Sequence, residues 1–456
     1  MSALRQGQRA GHSVGFEAGP GDASGYGEGR IWLSGGRKTL LRTGMSAHRE
    51  GQGPEFAAGF EARHWAGGGL GSAPRSPSGK GMTKTEKLLR ELIALPSVNP
   101  AFLPVKHPRA GERRVAEFLA ATAVRAGLDV EFQAAAPGRA NLLARLLPRG
   151  RARQRLLLAP HLDTVNGADE QFTPRTRNGR LFGRGACDTK GSVAAMLTAL
   201  CEVARGPQRP AETEVIFAGL VDEEHHHAGS HALVASGLKA DLAIVGEPTR
   251  LQVVTAHKGT VWLKLETRGK AAHGSCPELG RNAVHAMARV VDLLQTEYAA
   301  QLRRRRHSLL GCATVSVGAI CGGSQPNVVP DQCTILLDRR TLPGETDAGV
   351  RREILGLLRR NKLMAACVDD NLPPWLPLET DPKLPLVARF LSAVGQRRPG
   401  GVRYFSDASV LAHGGIPSVV FGPGDIAQAH TADEWICVEA LERGERLLRR
   451  FLQSLS

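Results

Sequence analysis

Hydrophobic periodicity sets in abruptly at Thr83. Thr83 and Glu86 form a capping box, and Leu88, Leu89, Leu92 and Ile93 follow at helical spacing, so ordered chain begins here with an amphipathic helix. The same period predicts a second helix over 111–126, and short strand-like segments follow at 129–132 and 141–147. Three continuous apolar runs come next, at 155–159, 214–221 and 241–245, with helical patterns over 191–204 and 229–235 between them. Apolar runs of strand length that alternate with helices imply a parallel sheet covered on both faces. A fourth run at 418–421 stands far downstream, ahead of a closing helix predicted from 432 to about 452.

Between 255 and 370 the order changes. Strands near 259–267, 314–320, 333–338 and 364–368, with helices over 281–302 and 346–360, give strand, helix, strand, strand, helix, strand, which is the ferredoxin-like split βαβ order. The predicted architecture is therefore α/β: a catalytic domain of residues 82–254 and 371–456 with a mixed, mainly parallel sheet, interrupted by an inserted ferredoxin-like α+β lid of residues 255–370. Residues 1–81 hold twenty of the 53 glycines and sustain neither period, so they read as a disordered extension or a mis-assigned start ahead of Met82.

With 456 residues, 42% of them hydrophobic, the chain can bury a sizeable core. It has no apolar segment of the length a secretory signal or a membrane span requires, and Glu17, Asp22, Glu28, Glu50, Glu55 and Glu61 argue against an acid-poor transit peptide, so the cytoplasm is the expected address. None of the eight cysteines stands in a C-x-x-C spacing, which excludes a zinc ribbon. The net charge of +15 raises the question of nucleic acid, and Arg303, Arg304, Arg305 and Arg306 form its densest cluster. That run ends a helical pattern without interleaved aromatics for base stacking, so no nucleic-acid partner and no membrane partner is expected.

Candidate chemistry lies in where His and acidic residues fall relative to the strands. The first apolar run ends in Pro160-His161-Leu162-Asp163, the second in Asp222-Glu223-Glu224 and the third in Gly246-Glu247-Pro248, while His430 follows the fourth. Ligands of open α/β sheets bind at the carboxyl ends of strands, so these groups should converge at one edge. Asp188, in the turn Gly183-Arg184-Gly185-Ala186-Cys187-Asp188, should hang over the same edge. Like charges crowded into one cleft raise each other's pKa, and divalent cations are the natural neutralisers. Nitrogen and oxygen donors without thiolate fit zinc, cobalt or manganese, and a carboxylate can bridge two such ions. The glycine turn lacks the third glycine of a dinucleotide motif, and Lys190-Gly191 reverses the order of a phosphate loop. The tract His225, His226 and His227 reads as solvated loop.

These stretches resemble the co-catalytic dinuclear zinc peptidase and amidohydrolase family that includes acetylornithine deacetylase, succinyl-diaminopimelate desuccinylase, aminoacylase and glutamate carboxypeptidase. The matching segments are Ala159 to Val165, Gly183 to Gly191, Asp222 to Glu224, Val245 to Pro248 and Ala429 to Glu434. The resemblance implies two divalent metal ions, foremost zinc, with His161 and Glu247 completing one, Glu224 and His430 the other, and Asp188 bridging. It makes Glu223 the general base and gives Asp163 the task of orienting His161. Glu247, where other members carry Asp, matches the deacetylase and desuccinylase side. Ala272-His273-Gly274-Ser275 resembles the lid segment whose histidine reaches a partner subunit's site and steadies the oxyanion. Asn327 and Arg340 resemble lid residues that hold substrate, with Arg339 the alternative to Arg340. The segment Phe405-Ser406-Asp407-Ala408 lies where some members bind the acyl group, but lacks the glycines of the desuccinylase pattern. The implied activity is hydrolysis of the amide of a small N-acyl amino acid by a metal-activated water, in a homodimer built through the lid. The alternative is a dipeptidase or glutamate-type carboxypeptidase using the same site.

Overall fold

The structure, a computed structural model, describes residues 81–368 and 375–455. The expectation for residues 1–81 lies, but for Gly81, outside them, as does the lid boundary at 370.

The first helix, Lys84–Ile93, opens as its capping residues dictate: the Thr83 hydroxyl accepts a bond from the Glu86 N–H at 3.2 Å. Its apolar stripe of Leu88, Leu89, Leu92 and Ile93 is buried. At the centre of a nine-stranded mixed sheet, Gln154–Pro160 pairs in parallel with Thr213–Gly219 on one side and Leu242–Gly246 on the other. Ser418–Val420 continues the parallel core beyond Leu242–Gly246. These four strands are the four apolar runs of the sequence. The hairpin Asp129–Ala136 and Arg139–Leu146 extends one edge in antiparallel fashion, and Val254–His257, Leu378–Glu379 and Gly400–Val402 complete the other.

Alternation of side chains across the pleat explains why the central runs are continuously apolar. Leu156, Leu158, Val215 and Phe217 pack in one cluster with the helices Lys190–Arg205, Pro385–Val394 and Val438–Ser454. Leu157, Ala159, Ile216 and Ala218 face the other way, joining Leu233 of Ala228–Ala235 and Leu411 of Asp407–His413. Each fully buried leucine contributes roughly 1.5–3 kcal/mol of transfer free energy, so both faces hold the sheet between its helices.

A separate four-stranded antiparallel sheet has the order Thr314–Gly322, Gln332–Thr341, Gly259–Arg268, Ala366–Val368. Its own core unites Leu263, Leu265, Ile335 and Leu337 with Met287 and Val290 of Ala283–Leu293 and Ile354 and Leu357 of Asp347–Arg360. The predicted strand at 364–368 is shorter in the structure, and the helix predicted over 281–302 contains a π-turn at Leu294–Tyr298.

One element differs more substantially. The closing helix starts at Val438, because Trp435–Cys437 is a strand that pairs antiparallel with Arg180–Phe182. Ile436 is fully buried there, and Glu434 is pulled inward by backbone N–H groups described below, so a helix from 432 would expose one and release the other. Among the described residues, no helix is long and apolar enough to cross a membrane.

Candidate metal centre

His161 directly follows the strand Gln154–Pro160, and its backbone still bridges to Leu220. Its Nδ1 lies 3.0 Å from the Asp163 carbonyl oxygen and 3.5 Å from Asp163 Oδ1. An Nδ1–H donated to that carbonyl leaves the Nε2 lone pair facing inward, the tautomer a metal ligand needs. Nε2 stands 3.2 Å from Asp188 Oδ1 and 3.8 Å from Glu247 Oε1. The other oxygen of Asp188, Oδ2, lies 3.3 Å from His430 Nε2, which is 3.0 Å from Glu224 Oε2. One carboxylate thus spans two imidazoles.

The groups His161, Asp188 and Glu224, and likewise His161, Glu223 and Glu247, each offer nitrogen or oxygen atoms within 4.8 Å of one another. Glu247 Oε1 is buried without a hydrogen-bond partner, a costly state for a carboxylate that a cation would relieve. The donors are imidazole and carboxylate throughout, so the residues fit divalent cations of the zinc, cobalt and manganese type.

The electrostatics agree. Burial pushes the Glu223 carboxyl well above the usual carboxylate range, against the opposing charge of His227. Burial does the same to Glu247, with His161 opposing. For His161, burial pulls the imidazole down, but its bonds to Asp163 and Asp188 prevail and hold it well above the usual value. His430 is pushed up to about 10 by its contacts with Asp188 and Glu224. A divalent cation would replace these shared protons as the neutralising charge.

A supporting layer fixes the ligands. Glu434 accepts the N–H groups of Cys187 and Asp188 at 2.9 and 3.0 Å through Oε1, and those of Gly185 and the Arg184 guanidinium at 2.9 and 2.8 Å through Oε2. It thereby holds the turn that presents Asp188. Gly185 sits in that turn at φ +80°, where an added Cβ would meet the Lys190 side chain at 2.9 Å. The Asp163 carboxylate accepts the N–H groups of Glu223 and Glu224, both at 3.1 Å, and the Asn99 amide at 2.7 Å, so it fastens the loop carrying both glutamates. Arg139 pairs with Glu112 and with Asp222, the latter at 2.6 Å, bracing the same loop.

His161, Asp188, Glu223, Glu224, Glu247 and His430 are therefore brought together, with Asp163 beside them. His273 is not among them: it is exposed, and its Nδ1 bonds Ser275 Oγ at 2.7 Å. Asn327 is close to it, its carbonyl accepting the Gly274 N–H at 2.7 Å. Arg340 pairs with Asp338 at 3.0 Å, with its guanidinium 5.6 Å from the centre of the Phe405 ring. Arg339, the alternative to Arg340, is fully buried on Tyr298 and Glu345 and serves the sheet's core instead. The solvated reading of the histidine tract needs correction at His227, which is 2% exposed and bonds Asp407 Oδ1 at 2.8 Å. His227 adopts a left-handed backbone at φ +56°. The roles of Glu434, Asn99, Arg139 and the His227–Asp407 pair are absent from the sequence reading.

Comparison with known proteins assigns the class. The profile of peptidase family M20/M25/M40 matches residues 157–454, and the chain belongs to that family. It is 33% identical to an acetylornithine deacetylase of Myxococcus xanthus over 327 residues, 68% of this chain and 82% of the relative. It is 29% identical to one of Proteus mirabilis over 385 residues, 81% of this chain and 96% of the relative. Among solved structures, a tripeptidase from Staphylococcus aureus superposes with a TM-score of 0.65 at 20% identity, covering 82% of this chain and 98% of that one. A dinuclear metal binding peptidase from Bacillus subtilis superposes with a TM-score of 0.60 at 14% identity, covering 81% and 97%.

Proposed function

We propose that the protein hydrolyses the amide bond of an N-acyl amino acid in the manner of acetylornithine deacetylase, using two divalent metal ions, foremost zinc. The observation that carries this reading is Asp188, whose two oxygens face His161 and His430 separately while Glu247 and Glu224 stand beside each imidazole. His161 and Glu247 would hold one ion, Glu224 and His430 the other, with Asp188 shared. When bound, the ions would lower the pKa of a water and polarise the amide carbonyl. Glu223, half-buried beside them, takes the proton of the attacking water and delivers it to the departing amine nitrogen. Its raised pKa suits a carboxyl that must hold a proton between those two events.

Arg340 and Asn327 hold the substrate carboxylate, Arg340 through its paired N–H groups. His273 steadies the oxyanion from a second copy of the chain, so the four-stranded sheet and its helices act as both lid and dimerisation surface. All eight cysteines are free, which accords with a reducing, cytoplasmic setting.

The test combines metal analysis and hydrolysis on one purified sample. N-acetylornithine, N-succinyl-diaminopimelate, other N-acyl amino acids and dipeptides are assayed before and after chelation. About two metal equivalents and chelator-sensitive release of a free amine are expected. No bound metal and no turnover after zinc or cobalt is added would overturn the proposal. Cleavage of dipeptides alone would favour the peptidase alternative.

A further inference from the structure

Beside the metal centre lies a cavity of about 660 Å³ whose charged lining is all of one sign: Lys258, Arg306, Arg340 and Arg403, with no acidic side chain among the lining residues. Tyr404 forms part of its wall and bonds the carbonyl of Pro248 at 3.3 Å, one residue beyond Glu247. The cavity and the metal ligands are thus one side chain apart. Arg340 shares Asp338 at 3.0 Å, but among the described residues no carboxylate lies within ion-pair distance of Lys258, Arg306 or Arg403. Lys258 is only 3% exposed, and its ammonium reaches the Cys312 carbonyl oxygen rather than a counter-charge. Burial and then the neighbouring Arg403 guanidinium lower its pKa. Four cations gathered in a partly enclosed space repel one another, and they equally repel a cationic ligand. A ligand with one carboxylate satisfies Arg340 and leaves the others unanswered.

Building on the proposed amide hydrolysis, we infer that this cavity selects substrates carrying two or more carboxylates, with Lys258, Arg306 and Arg403 receiving the anionic group that Arg340 does not. The preferred N-acyl amino acid is then dianionic, its second carboxylate on either the amino-acid side chain or the acyl group, and a cationic side chain such as that of ornithine is disfavoured. The volume suits a small molecule of this size.

Kinetics and binding test this separately. N-acetyl-L-glutamate is compared with its neutral-side-chain counterpart N-acetyl-L-glutamine, with N-acetyl-L-ornithine, and with N-succinyl-L-glutamine to distinguish an acyl carboxylate from a side-chain one. At least one dianionic substrate should exceed monoanionic N-acetyl-L-glutamine more than tenfold in kcat/KM, and the exposed-site double variant Arg306→Gln/Arg403→Gln should reduce that ratio at least tenfold. A higher kcat/KM for N-acetyl-L-glutamine or N-acetyl-L-ornithine than for both dianionic substrates, or a parallel fall of all substrates in the double variant, would overturn the inference. Calorimetric titration of the full chain with glutarate supplies a readout independent of turnover. Binding that weakens tenfold or more in the double variant supports the cavity even where no amide is cleaved, in which case the proposed reaction fails and the anion site stands. Equal glutarate affinity in both proteins would sink the anion site itself.

Discussion

Glu223 accepts no side-chain hydrogen bond from any described residue, although its backbone N–H is fixed to Asp163. A group held in place by its backbone, with the His227 imidazole 4.0 Å from its carboxyl and no hydrogen bond tying it down, is suited to proton transfer. Glu223→Gln should therefore keep its metal stoichiometry while kcat falls about 10²–10⁴-fold, read by metal analysis beside steady-state kinetics; near-normal kcat would assign the base elsewhere. Glu434 has the opposite profile, with four donors on its two oxygens and the buried Arg184 among them. Glu434→Gln leaves that guanidinium without its counter-charge, so a stability loss of about 3–5 kcal/mol is expected in denaturant titration. An unchanged midpoint would show that the turn holds Asp188 without it. The two glutamates also mark what is legible in sequence. Glu223 stands out because it follows an apolar run within a few residues, whereas the partners of Glu434 are three backbone N–H groups and one guanidinium, all 246 or more positions away. The same distance problem hides His227: beside two other histidines it looks solvated, and only the fold delivers Asp407, 180 positions on, to its ring.

At the scale of elements, strands announced themselves wherever both faces are buried, as in Gln154–Pro160 and Thr213–Gly219. The short strand Trp435–Cys437 did not, because three residues carry no period of their own and their pairing with Arg180–Phe182 is a tertiary fact. The strand Val254–His257 holds a consequence for pH. His257 is fully buried, its Nδ1 bonded to the Lys258 carbonyl at 2.9 Å and its Nε2 unpartnered. Burial pushes its pKa from the ordinary 6.5 down to about 4, while the Lys258 carbonyl works in the other direction and the charges of His227 and His413 add to the lowering. Between these two values the unfolded chain binds a proton that the folded chain refuses, so stability rises with pH across the window. The contribution is complete above 6.5 and disappears as pH falls through about 4; a difference of 2.5 pH units corresponds to about 3 kcal/mol. Urea unfolding of His257→Gln should show a pH dependence flatter by about that amount between pH 6.5 and 4. Parallel curves for the two proteins would mean that His257 titrates normally in the fold.

At the scale of the whole molecule, the site gathers every proposed metal ligand and the base from one chain, yet the His273 ring bonds only Ser275 of its own loop, and its backbone bridges to Val328 beside Asn327. Its exposure, with a ring held by Ser275, presents an imidazole outward rather than inward. Among the described residues, the sheet that carries this loop also ends in an open edge, the strand Thr314–Gly322, where Ile320 is 58% exposed. An unpaired edge of this kind can join a second copy of itself across a two-fold axis. If two copies pair there and exchange His273, then Glu223→Gln and His273→Ala are defects that a mixed dimer can separate. The site combining an intact Glu223 with His273 from the other copy is whole; its mate carries both defects. Mixing the two inactive proteins under conditions of subunit exchange should therefore restore about one quarter of wild-type activity, since half the dimers are mixed and each has one working site. Sedimentation should show a dimer in the same buffer. A monomer that is fully active, or a mixture that stays inactive despite demonstrated exchange, would place the oxyanion donor within the same chain and leave His273 without a catalytic part.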